Sequence, residues 1–218
     1  MITEACMGVL SGVIVNRTGR YLELIWVGLG VFTLGNGLYI LLGANTSIAS
    51  IIGFEIVSGI GAGLLFDPPL IAVQALVSQK DTATATSTLG FIRNLGTSLS
   101  ILVGGVVFQN GMQLQKSDLE GHGLPAGLVA NLTGIDAAAN VMAIMQIPDE
   151  AQRLIVKEAF AWSLRNVWIL CTCMAATGIL ASGLITKAVL SKEHTETKTG
   201  LNREPADTDA KKEVNGQS

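Results

Sequence analysis

Hydrophobic and polar positions in this chain fall into long blocks rather than at the spacing of a core-facing strand or helix. Apolar runs cover residues 2–15, 24–42, 48–66, 89–108 and 166–186, separated by short polar connections and one long one. The second and fifth runs carry no charged residue, and the others carry Glu4, Glu55 and Arg93 respectively. A membrane span needs roughly 20 largely apolar residues to cross about 30 Å of hydrocarbon. Backbone groups in that layer must be paired internally, which makes such spans helices. The pattern predicts an all-α, polytopic membrane helix bundle of about five spans: 2–15, 22–42, 48–77 with a break at 67–69, 89–110 and 166–188. The first run is short, lacks the basic start of a secretory signal and is followed by Arg17 and Arg20. It reads as a clipped span, as if the chain began partway through a larger protein.

Composition agrees, because charged residues make up 14% of the chain, against about 25% in soluble proteins. Positive residues then set the sidedness. Arg17 and Arg20 follow the first span, Lys80 the third, and Lys187, Lys192 and Lys198 the fifth. These connections are expected in the cytoplasm, and residues 43–47 and 111–165 outside. The expected location is multi-pass in the plasma membrane with a cytoplasmic C-terminus. From residue 191 to 218 the chain is polar and mixed in charge, which predicts a disordered tail. In the long external loop, Asn131-Leu132-Thr133 is a candidate glycosylation site, with an unused tripeptide as the alternative. Pro148-Asp149-Glu150 signals a helix start, with Ala151, Leu154, Ile155, Ala159 and Trp162 at helical spacing. That run is expected to form an amphipathic helix on the outer surface or a plain loop helix.

Polar groups inside spans are costly, which makes them candidates for function. In the fourth span Arg93, Thr97, Ser100 and Gly104 recur on one face, with Leu95, Leu99, Leu102 and Val106 opposite. The polar stripe is expected to face other helices or an aqueous path. Small residues at Ala175, Gly178 and Ser182, and at Gly59 and Gly63, allow close helix approach. Gly59-Ile-Gly61-Ala-Gly63 is not a dinucleotide fingerprint, since the spacing differs and no strand precedes it. Cys6, Cys171 and Cys173 all lie in spans and form neither a disulfide framework nor a metal site. His122 and His194 belong to no nucleophile or metal constellation, so neither an enzyme nor a cofactor is expected, and no nucleic-acid partner.

The third apolar stretch is too long. From residue 48 to 77 it would reach about 45 Å as one helix at 1.5 Å per residue. Pro68 and Pro69 remove two backbone donors and are expected to push Asp67 out of helical geometry. The freed carbonyls need a protein-lined or wet surrounding, as in the interrupted helices of transporters. Alternatively the helix ends at Phe66, with Asp67 at the cytoplasmic interface.

Two segments resemble a known family. Gly12, Asn16, Arg17, Gly19 and Arg20 match the cytoplasmic loop motif of the major facilitator superfamily, with Asn16 where the family has Asp and Tyr21 where it has a second basic residue. Residues 61–110, with their Gly-rich, Pro-containing span, Asp81-Thr-Ala-Thr-Ala loop and Arg93-Asn-Leu-Gly start, are similar to the fungal fourteen-helix drug:proton antiporter branch. The resemblance covers about residues 1–190 and implies helices ten to fourteen, the carboxy-terminal part of that fold. It further implies proton-coupled export of small, often amphipathic molecules by alternating access, with Arg17 and Arg20 holding one conformation. Glu55 and Asp67 are then the acids for the proton, Glu55 being the deeper, with Arg93 as its electrostatic partner or a conformational latch. Transport on this reading needs an N-terminal half or a partner. The second expectation is a truncated, non-transporting membrane protein or a subunit of other membrane proteins.

Overall fold

The structure, a computed structural model, describes residues 2–134 and 137–184. The tail at 191–218 and the end of the fifth span lie outside them. Regular structure among the described residues is helical: α1 (Ile2–Thr18), α2 (Tyr21–Tyr39), α3 (Ile48–Leu64), α4 (Pro68–Leu76), α5 (Thr82–Leu114), α6 (Lys116–Gly121), α7 (Ala126–Thr133), a 3-10 helix (Ala139–Gln146) and α8 (Glu150–Ser182). Four stretches are long and apolar enough to cross a membrane: α2, α3 with α4, α5 with α6, and α8. The clipped first block forms α1, 17 residues long, beside α3.

Local chemistry sets the ends. Gly19 adopts φ 69°, and its N–H returns to the Val15 carbonyl at 2.8 Å, so a left-handed residue closes α1 and turns the chain into α2. Ser47 Oγ accepts from the Ser50 N–H at the start of α3, and Asp149 Oδ1 from the Ala151 N–H at the start of α8. The helix start expected at Pro148-Asp149-Glu150 is found there.

The helices pack through small residues. α2 runs antiparallel to α3, where a Cβ on Gly35 would lie 2.6 Å from Ser58 Cα and one on Gly61 would meet the Phe32 backbone. α1 runs parallel to α3, with Gly59 against Thr3 and Gly63 against Met7. α8 lies antiparallel to α2 on its other side. There Trp26 Nε1 donates to the Ser182 carbonyl at 3.3 Å, Gly178 faces Leu29, and the Tyr39 and Trp168 rings sit 4.5 Å apart. The small-residue stripe on α8 is thus a helix seam. One small cluster, Val15, Tyr21 and Ile25, is sealed by Ile71 and Ala72 of α4.

Where a loop is expected over 111–165, the structure differs. Nothing breaks the helix between Glu150 and Ser182, so the predicted surface helix and the last span are one rod of 33 residues, and α5 is equally long. At 1.5 Å per residue each is about 50 Å, well beyond the bilayer core. The two meet at Gly111, where a Cβ would lie 2.9 Å from buried Ser163, and through Phe108 and Phe160 with ring centroids 5.4 Å apart. Beyond that contact α6, α7 and the 3-10 helix fold into a cap. Met112, Leu119, Val129, Leu132 and Val156 form its core, each fully buried. The buried side of α8 here is Val156, Ala159 and Ser163, with Ile155 packed beside it, while Leu154 and Trp162 of the predicted apolar face are exposed.

Elsewhere the surface is apolar. α5 is exposed around its whole circumference from Phe91 to Val103, with Phe91 at 67% and Ile101 at 71%. In water each such side chain would forgo about 1.5–3 kcal/mol of burial. This is the exterior of a multi-pass membrane protein.

Candidate functional site at the break between α3 and α4

Pro68 and Pro69 have no N–H for the carbonyls of Leu64 and Leu65, four residues earlier. The chain tightens instead, Leu65 N–H bonding to Ala62 at 3.1 Å and Phe66 N–H to Gly63 at 3.2 Å, before Ile71 N–H takes the Asp67 carbonyl and α4 begins. One expectation fails here. Asp67 keeps right-handed helical dihedrals, φ −88° and ψ −40°. The break comes from the missing donors rather than from displacement of the residue before proline.

Arg93 reaches the same turn from α5. Its guanidinium donates to the Phe66 carbonyl at 3.0 Å and lies 4.9 Å from the centroid of the Phe66 ring. The expected partnership with Glu55 is absent: no ion pair joins the two among the described residues. Glu55 lies eleven residues before Phe66, about 16 Å along a helix axis, and is exposed on α3. Gln74 Nε2, donating to Thr86 Oγ1 at 3.1 Å, ties α4 to α5.

On the other side of the break is α1. Gly12 of the loop motif meets Asp67 so closely that a Cβ would lie 2.8 Å from Oδ2. The residue before it, Ser11, is fully buried, donates to the Gly8 carbonyl at 2.8 Å and reaches the Gly63 carbonyl at 3.4 Å. Between α1 and the break lies an open cavity of about 530 Å³ lined by Glu4, Ala5, Gly8, Val9, Phe66 and Asp67. The site therefore unites Gly12, Asp67, Pro68, Pro69 and Arg93, and adds Glu4.

Other candidates stand apart. Arg20 pairs with Glu23 at 3.6 Å, both exposed, a contact worth little. Asn16 and Arg17 are exposed at the end of α1. Asn131 is exposed on α7, but Thr133 of its tripeptide is buried, its hydroxyl donating to the Val129 carbonyl at 2.8 Å.

A second cleft, about 520 Å³ and mostly apolar, opens between α2, α5 and α8. Gly96, Ser100 and Gly104 line it from α5, together with Leu99, which the stripe pattern put on the opposite face. Thr97 is not part of it; its hydroxyl bonds the Arg93 carbonyl. Asn36 of α2, 5% exposed and donating to the Phe32 carbonyl, is the polar group that sequence reasoning passed over. The signal was there, as a lone amide in a span free of charge.

The chain is 39% identical to the MFS-type transporter ppz2 of Metarhizium majus over 90% of its own length and 34% of that protein's. It is 38% identical to an MFS-type transporter of Aspergillus terreus, with 94% of this chain and 37% of that protein covered. With the efflux pump dotC of Dothistroma septosporum it shares 36% identity over 88% of this chain and 32% of the pump. Its relatives are fungal MFS-type transporters and efflux pumps. The chain spans about a third of the length of these curated relatives. No family model matches the chain, and no solved structure does. The break, the loop-motif glycine and Arg93 thus belong to a transporter-like stretch of sequence.

Proposed function

We propose that this chain is the carboxy-terminal portion of a proton-coupled exporter of small, amphipathic molecules, working by alternating access with helices supplied by an N-terminal half or a partner. Its place on this reading is the plasma membrane, with the tail in the cytoplasm and the cap outside. The observation that carries the proposal is the junction at the break, where Arg93 of α5 holds the Phe66 carbonyl and Gly12 of α1 abuts Asp67. Three helices meet there through one guanidinium, one carboxylate and a broken backbone, contacts that can be exchanged when helices rock. Glu55 and Asp67 are the acids available to carry the proton, in surroundings that would alternate between wet and dry. The cavity beside Glu4 and Asp67 is the substrate-facing wall in this scheme.

The test joins this chain to the N-terminal two thirds of a fungal relative and measures drug efflux from sealed cells at set proton gradients. Gradient-dependent efflux that Glu55→Gln or Asp67→Asn abolishes, with membrane delivery intact, supports the proposal. Efflux untouched by both changes removes these acids from the mechanism.

A further inference from the structure

We infer that the cleft between α2, α5 and α8 seats a further membrane-spanning helix from outside this chain, one that presents bulky apolar side chains and a hydrogen-bond donor. Its source rests on the reading proposed above, in which an N-terminal part supplies the remaining helices. About two thirds of each relative lies outside the stretch that this chain matches. The wall on α5 suits close approach. Gly96, Ser100 and Gly104 recur there every four residues and line the cleft over about 12 Å of helix axis. Glycines in the other seams face a neighbour tightly, and a Cβ on Gly35, Gly61 or Gly63 would run into the backbone of another helix. On α5 the same residue type faces outward. A Cβ on Gly96 would meet nothing within 4 Å, and one on Gly104 would meet Val167 at 3.5 Å. Glycine weakens a helix, and between helices in lipid its use is to bring a second backbone near.

A second observation, on the opposite wall, says what the helix must bring. Asn36 lines the cleft from α2 and is 5% exposed. Its Nδ2 donates to the Phe32 carbonyl at 2.9 Å, whereas Oδ1 accepts from no group among the described residues. The unpartnered side-chain atom sealed from solvent among those residues is Trp168 Nε1. The Asn36 oxygen therefore keeps an opening, and for a residue so deeply buried that opening is the cleft it lines. An amide carbonyl in a layer without water calls for a donor. A lipid acyl chain has none to give, while a Ser, Thr, Asn or Gln side chain on a neighbouring helix does. The remaining lining is chiefly apolar, with Leu99 and Val103 on α5 and Leu170 and Met174 on α8. At about 520 Å³ the cleft has room for more than one large side chain between these walls.

The full chain is tested alone and joined to the N-terminal two thirds of a fungal relative. With Cys6, Cys171 and Cys173 changed to Ala, Ser100→Cys is paired with single cysteines placed along each helix of the joined part. Membranes are oxidised with copper phenanthroline, and disulfides are scored by gel mobility. Cross-links from one helix, recurring every three or four residues as one helix face does, are expected. Gly96→Leu fills the cleft and is expected to cut that cross-linking about tenfold. The lone chain carrying Gly96→Leu should melt as the unmodified chain does, since a Cβ there meets nothing within 4 Å. Asn36→Leu, which keeps the size and removes the acceptor, should cut the cross-linking several-fold. Cross-links only between two copies of the chain, or from no helix of a fusion that reaches the membrane, overturn the inference. Cross-linking that Gly96→Leu leaves unchanged does so too. Cross-linking in a fusion that exports nothing would leave this seat standing and take down the export reading.

Discussion

Gly12 and Asp67, fifty-five positions apart, are in contact at the crossing of α1 and the α3–α4 break, where a Cβ on residue 12 would lie 2.8 Å from Oδ2. What such a Cβ would displace is the tip of one side chain. At Gly35 the obstacle is the Ser58 backbone, 2.6 Å away, which cannot rotate aside. We therefore expect Gly35→Ala to destabilise the detergent-solubilised bundle by about 1–3 kcal/mol, as overpacking does, and Gly12→Ala by less than about 1 kcal/mol. Denaturation followed by tryptophan emission measures both. Equal losses would mean that α1 and α4 are as rigidly packed as α2 and α3.

Replacing Pro68 and Pro69 together by Ala returns two N–H donors to the Leu64 and Leu65 carbonyls. α3 and α4 then tend to fuse, and Leu70 competes for the Phe66 carbonyl that Arg93 now holds. Amide exchange at residues 64–71 should slow by about tenfold, the equivalent of 1.4 kcal/mol of added local protection. Unchanged exchange would show that the two helices stay separate without the prolines.

Arg93→Lys keeps the charge but loses the planar group that lies on the Phe66 ring. For so exposed a contact the expected loss is about 0.5–1 kcal/mol, with a larger effect on efflux in the transporter-length fusion than on its delivery to the membrane. Equal efflux from Arg93→Lys and the unmodified fusion would reduce the residue to a simple positive anchor.

Leu119→Ala removes a side chain that is fully buried in the cap. A loss of about 2–5 kcal/mol is expected there, seen as faster amide exchange over residues 115–149 while α2 and α3 keep their protection. Faster exchange throughout would show the cap and the bundle to be one cooperative unit.

Much of the fold is legible as composition. Runs without charge at 24–42 and 166–186 announce helices in lipid because nothing else satisfies the backbone there. The proline pair announces the break for the same reason. The limits are equally physical. Residues 111–165 are polar enough to be taken for a loop, and only the lack of a breaker between Glu150 and Ser182 betrays the long rod. Glu55 and Arg93 look like a pair because they are opposite charges in neighbouring spans. Their distance depends on register, and Arg93 sits at the level of Phe66. That Gly12 meets Asp67 depends on α1 lying parallel to α3, a tertiary choice that no local pattern encodes.

The long rods α5 and α8 carry the cap on shafts instead of tethers. Gly111 and Ser163 touch between them, so a tilt of one shaft against the other would carry the cap with it. A binder held against α6 and α7 would grip a handle whose far end carries Arg93, and would report any such tilt.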